Sequence, residues 1–254
     1  MDRRRYKNPP IEEAVCDFQF APGVDWDPTL PGRLYERLKD TYGEKPRQQQ
    51  LVESQLQGPN SEGSPSFSLR QQFGKTRIQL LAENGTRIVG ISEHQLSIHM
   101  LRPYTKWEDF RPRIMQALAA YREIANPEGV TRLGLRYINR IVINQSNPEL
   151  GEYFTIPPKF PQVEPPTRML AFFNRKETEF LDKPIRIVVT FADVEPRSSE
   201  NASYLLDLDI ICIRTDDPIP LDDVPEVMED MKNRHRDVFE SLVTEASRRL
   251  FDGD

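Results

Sequence analysis

Two segments far apart in this chain alternate apolar and polar residues in the same way, and each opens a similar succession of elements. Along Ile11–Phe20, Ala14, Cys16, Phe18 and Phe20 fall on one side, with Glu13, Asp17 and Gln19 on the other. Along 132–143, Leu133, Leu135, Tyr137, Ile141 and Ile143 share one side. A period of two marks a half-buried strand. Behind the first segment come a short helix on Leu30, Leu34 and Leu38, strands at 67–73, 77–82, 87–91 and 95–101, and a helix from Trp107 to near Asn126. Behind the second come strands at 168–175, 185–193 and 204–214, then one long helix over 224–251 with Met228, Met231, His235, Phe239 and Leu242 on its apolar stripe.

The offset between the two series is about 120 residues, and it rests on element order alone, because residue identity between them is negligible. The expected fold class is therefore α+β, with two similar halves at 1–128 and 129–254. Each half is an antiparallel sheet followed by a covering helix. Joined edge to edge they make one wide curved sheet; kept apart they make two domains.

Local signals refine this picture. Asn84-Gly85 predicts a two-residue hairpin, since both residues tolerate positive φ. Thr105-Lys106-Trp107-Glu108 fits a capping box at the start of a helix. Residues 44–65, rich in Gln, Gly, Ser and Pro, predict a long loop or a disordered insertion, and the prolines of 157–166 an ordered crossover.

Composition narrows the class. Among 254 residues, 37% are hydrophobic and 29% charged, which suits a globular protein rather than a disordered one. Cys16 and Cys212, the only cysteines, lie in apolar strand-like runs and read as buried reduced thiols. No apolar run is long enough to span a membrane, and nothing hydrophobic follows Arg3-Arg4-Arg5, so the expected location is cytoplasmic. The net charge of −6 is uneven: residues 1–128 carry 18 basic against 17 acidic side chains, and 129–254 carry 16 against 23. Such a balance disfavours RNA or DNA, whose affinity comes mainly from Lys and Arg releasing counterions.

Three elements together resemble a known family. They are Tyr6-Lys7-Asn8-Pro9-Pro10-Ile11-Glu12-Glu13-Ala14-Val15, the strand Arg132-Leu133-Gly134-Leu135-Arg136-Tyr137-Ile138-Asn139-Arg140-Ile141, and the closing helix with His235, Phe239 and Thr244. The chain is similar to a sporadically distributed prokaryotic family of proteins of this length to which no biochemical role is attached. The resemblance brings no catalytic residues. Its patchy distribution implies accessory genes of mobile or antiviral defence loci.

The candidate site residues come from the residues themselves. Arg132, Arg136 and Arg140 share the polar face of one strand, spaced about 13 Å apart, which suits an extended anionic partner. The competing reading pairs them with Asp207 and Asp209 across neighbouring strands. Those two aspartates, about 7 Å apart on one face, have the spacing for acid–base work or Mg²⁺, but no phosphate-cradling glycine motif accompanies them. His235, on an apolar stripe, is either a core histidine or a buried switch. His94 and His99 predict no convergent metal site, and neither cysteine has a ligand-spaced companion. The acidic 216–230 segment reads as a solvated helix start or as a strip for a basic partner. No motif names a reaction, so neither a catalytic residue nor a cofactor is expected. The leading expectation is a non-enzymatic accessory or regulatory protein that binds a partner protein through the edge or polar face of its sheet. A small-molecule or nucleotide sensor, with a pocket between sheet and helix, is the alternative; nucleic-acid binding through the arginine stripe comes third.

Overall fold

The alternation at β1 (Ile11–Phe20) and β6 (Val130–Ile143) buries one side of each strand, and the two strands pair with each other, Cys16 opposite Leu135 and Asp17 opposite Gly134. The computed structural model describes residues 4–21, 26–57, 68–159, 161, 163–167, 169–196, 198 and 200–253. The remaining strands are β2 (Glu44–Gln57), β3 (Ser68–Ala82), β4 (Arg87–Ser92), β5 (Gln95–Leu101), β7 (Phe173–Glu179), β8 (Ile185–Val194) and β9 (Ala202–Ile213). Among the described residues these nine form one open antiparallel sheet in the order β2-β3-β4-β5-β1-β6-β9-β8-β7. One sheet therefore runs through both halves of the chain, with β1 and β6 at its middle.

Helices α1 (Leu30–Leu38), α2 (Trp107–Ala125), α3 (Leu150–Tyr153), α4 (Val224–Leu242) and α5 (Glu245–Asp252) complete the fold. α2 lies against β5, α4 against β6 and β9, and α1 against α2. The core includes Phe18, Ile98, Leu135, Tyr137, Leu208 and Ile210 from the sheet, with Ile114, Leu118, Met228 and Met231 from the helices. Each large side chain buried there contributes about 1.5–3 kcal/mol relative to exposure. Cys16 and Cys212 are both buried and unpaired. No helix of the described residues is long and apolar enough to cross a membrane.

Several local expectations need correction. Part of the expected loop at 44–65 is strand β2, paired with β3; a Gln-rich strand has no apolar alternation to reveal it. Residues 58–65 lie outside the described residues, as do Phe67 and Arg168. The strands expected at 67–73 and 77–82 are one strand, β3, and the strand expected at 168–175 lies at Phe173–Glu179. Ala82 pairs with Arg87, so the β3–β4 turn has four residues rather than two; Glu83, Asn84 and Gly85 all take positive φ.

The capping box does not form. Lys106 is the N-cap of α2, extended at φ −164°, ψ 165° and without a side-chain cap, while the Glu108 carboxylate accepts from Arg5 at 3.2 Å. The single closing helix is broken at Val243, which is extended at φ −111°, ψ 146°. The Val243-Thr244 pair is β-branched and poorly suited to a helix interior. Its backbone instead joins the segment around α3: Val243 bridges Phe154, and the Thr244 N–H donates to the Tyr153 carbonyl at 3.0 Å.

Candidate functional site

The side of the sheet away from α2 and α4 carries the charged residues singled out above. β6 pairs with β9 so that Arg136 stands opposite Asp209 and Ile138 opposite Asp207. Arg136 reaches diagonally to Asp207 with two hydrogen bonds, Nε to Oδ1 at 2.8 Å and a terminal nitrogen to Oδ2 at 2.5 Å. Arg132 donates to Asp17 on β1 and lies 3.8 Å from an oxygen of Asp209. Arg140 stands apart from this group and donates to the Glu195 carbonyl. The structure thus brings Arg132, Arg136, Asp207 and Asp209 together, joined by Asp17, in a network of opposite charges.

Gly134 makes that network fit. A Cβ there would run into the Asp17 carboxylate, which lies over the glycine to reach Arg132. Asp209 is the least satisfied member: its Oδ1 is buried without a hydrogen-bond partner. Burial raises its pKa to about 6, Arg132 and Arg136 pulling down, Asp17 and Asp207 pushing up.

The two histidines read as non-convergent take different roles. His94 sits at positive φ in the β4–β5 turn. His99 on β5 bonds Glu13 at 2.7 Å through Nδ1 and Ser97 at 3.0 Å through Nε2. Among the described residues no three His, Cys, Asp or Glu side chains gather as a metal-binding group.

The helix side of the sheet holds a cavity of about 290 Å³. Its floor is β6 at Tyr137 and Asn139. One wall is the first turn of α2, with Trp107; another is α4, with Lys232, His235, Arg236 and Phe239. Residues 4–11 close the third side. Tyr137 packs against His235 with ring centroids 4.5 Å apart and against Tyr104 at 5.7 Å, edge to face; the two tyrosine hydroxyls are 3.4 Å apart. The Lys232 ammonium lies 4.5 Å from the Tyr137 ring centre and 5.9 Å from that of Trp107. Asn139 uses both amide hydrogens on backbone carbonyls, of Tyr137 (3.2 Å) and Leu206 (2.9 Å), so the group it can offer is its oxygen.

His235 is 4% exposed, and neither ring nitrogen makes a hydrogen bond of full geometry, although the Leu208 carbonyl acts on the ring. Burial, and after it the charge of Lys232, push its pKa well below the usual value, the Leu208 carbonyl pulling weakly the other way. The ring is therefore neutral, with one N–H donor and one acceptor nitrogen. An unsatisfied buried polar group costs about 1–3 kcal/mol. The core reading of His235 describes its packing, and the Leu208 carbonyl is the backbone group that acts on the ring, short of a hydrogen bond of full geometry.

Sequence reasoning did not assemble this cavity, although two signals for it were present. Asn139 interrupts the apolar side of β6 between Tyr137 and Ile141, and His235 interrupts the apolar stripe of α4. Both interruptions line the same space. Of β6, Tyr137 and Asn139 line the cavity, and the candidate arginines Arg132, Arg136 and Arg140 do not.

A third feature lies at the sheet's end. β7 is an edge strand whose residues are largely exposed, with Phe173 71% and nearby Leu170 80% accessible and Leu181 fully so.

No protein-family model matches the chain, and no curated protein matches it either.

Proposed function

We propose that this chain is a sensor that binds a small molecule in the cavity between α2, α4 and the middle of the sheet. The observation that carries this reading is the cavity itself, walled by Tyr104, Trp107, Tyr137 and Phe239, with two polar residues, Asn139 and the neutral His235, interrupting its apolar lining. Pockets with aromatic walls and a few convergent polar groups are the default binding sites of folded proteins. The charged groups of the opposite face support the same choice, because their arginines are engaged by carboxylates or a carbonyl and offer little free charge to a nucleic acid. The test is a thermal-shift screen of the full chain against nucleotides and small organic acids. A dose-dependent rise in melting temperature that His235→Phe abolishes supports the reading; no response to any member of the screen counts against it.

A second reading, the accessory protein that docks a partner, is favoured by β7. Among the described residues no strand pairs with the outer edge of β7, and exposed Phe173 and Leu170 beside it suit an extended partner segment added as a further strand. Phe173→Glu would then abolish co-purification of the partner while leaving ligand response at the cavity unchanged.

The strand order also supports duplicated halves. From the β1–β6 seam, β5 and β4 follow on one side and β9 and β8 on the other, each series preceding its own long helix, α2 or α4.

A further inference from the structure

We infer that the molecule held by this cavity is a planar aromatic or heteroaromatic ring bearing one anionic group, a phosphate or a carboxylate; the inference rests on the binding role proposed above. The charge of the lining is the first reason. Five basic side chains (Arg4, Arg5, Lys106, Lys232 and Arg236) face two acidic ones (Glu108 and Glu240), in a chain whose net charge is −6. Both acids are already engaged: Glu108 accepts from Arg5, and Glu240 from the Tyr6 hydroxyl and Arg248. Arg4 is bound to Glu245 and Asp252. Arg236 meets no carboxylate among the described residues; one of its nitrogens donates to the Arg4 carbonyl at 2.5 Å. Lys232, one helical turn before it on α4, lies over the Tyr137 ring.

The second reason is the start of α2. Its N-cap, Lys106, gives no side-chain acceptor to the free N–H groups of the first turn, and that turn borders the cavity. Free N–H groups at a helix start, with the dipole behind them, favour an anion. Taken alone this would mean little, since Glu108 and Asp109 stand in the same turn. Arg236 in the facing wall, with a backbone carbonyl and no carboxylate as its partner among the described residues, is the independent sign that an anion belongs there.

The ring follows from the interior. Tyr104, Trp107, Tyr137 and Phe239 give flat apolar walls, and the Asn139 oxygen adds a hydrogen-bond acceptor at the floor. A ring edge that carries a donor complements that oxygen. At about 290 Å³, the space is at the small end of ligand pockets, which span about 300–1,000 Å³, and admits one ring system with one charged group rather than a dinucleotide.

The test uses matched pairs on the full chain by isothermal titration calorimetry: AMP, GMP, CMP and UMP against their nucleosides, and nicotinate and benzoate against their amides. An anionic member should bind at least about tenfold more tightly than its neutral partner, as a charge-assisted bond implies. That preference should shrink toward unity in Arg236→Gln and in raised salt, the loss falling mainly on the anionic member. The phosphate and carboxylate arms tell the two sources apart. Equal binding of charged and neutral partners overturns the inference and leaves the cavity's binding role standing; no binding by any probe overturns both. Arg236 is partly exposed, so its substitution tests charge without threatening the fold.

Discussion

The imidazole of His235 lies 4.5 Å from the ring of Tyr137, centre to centre, and makes no hydrogen bond of full geometry in that position. An apolar ring of similar shape fits the same space without the penalty of an unsatisfied polar group. His235→Phe should therefore stabilise the free protein by about 1 kcal/mol in chemical denaturation while removing its response to ligand. A loss of stability would mean that the imidazole has a partner in solution.

The same residue sets an acid-side dependence. Its folded pKa is well below the unfolded value of about 6.5, so below that pH the unfolded chain takes up a proton that the folded chain refuses. The contribution is fully present above pH about 6.5 and falls by up to about 1.4 kcal/mol per pH unit beneath it. Denaturation midpoints measured from pH 7 to 5 should show a shallower decline in His235→Phe than in the parent chain.

Asp209 works in the opposite direction. Its folded pKa of about 6 exceeds the ordinary carboxyl value of 3.8, so the fold binds that proton more tightly. Stability from this group is greatest below pH about 4 and is lost as pH rises through about 6. Asp209→Asn should raise stability at pH 7.5 by about 1–2 kcal/mol, less than the full shift implies because the face is partly solvated. The variant should gain nothing at pH 4. An equal gain at both pH values would place the effect outside this titration.

Gly134→Ala places a methyl group where the Asp17 carboxylate lies. Overpacking of this kind costs about 1–3 kcal/mol. Asp17→Ala in the same chain should recover part of that loss, and a double-mutant cycle of unfolding free energies measures the coupling. Additive effects would show that Asp17 simply turns aside.

Arg136→Ala leaves the Asp207 carboxylate buried without its partner. Removing one member of a buried pair is costly, but Arg136 is itself nearly half exposed, so the expected loss is about 2 kcal/mol. The double variant Arg136→Ala, Asp207→Ala should be more stable than Arg136→Ala alone.

The parts of this fold that were legible in the sequence are those governed by one periodic pattern. Ile11–Phe20 and Gln95–Leu101 run between the residues their alternation indicates, and α2 begins at Trp107. The pattern fails where a strand has no apolar side to display, as in β2, and where backbone partners distant in sequence decide the outcome, as at Val243 beside Phe154. On the polar face, alternation placed Arg132, Arg136, Asp207 and Asp209 on a common side, but Asp17 and the space at Gly134 required the β1–β6 register. The cavity was the least legible, because Tyr6, Trp107, Asn139 and His235 come together only through tertiary packing.

The cavity's walls are drawn from residues 4–11, the start of α2, the middle of β6 and the second half of α4, and so exist as a unit only after the seam between β1 and β6 has closed. A bound molecule would act as a rivet through four distant stretches of chain. Residues 4–11, already tied to α4 and α5 through Arg4 and Tyr6, would be held more firmly by it, so their protease resistance would report whether the site is filled.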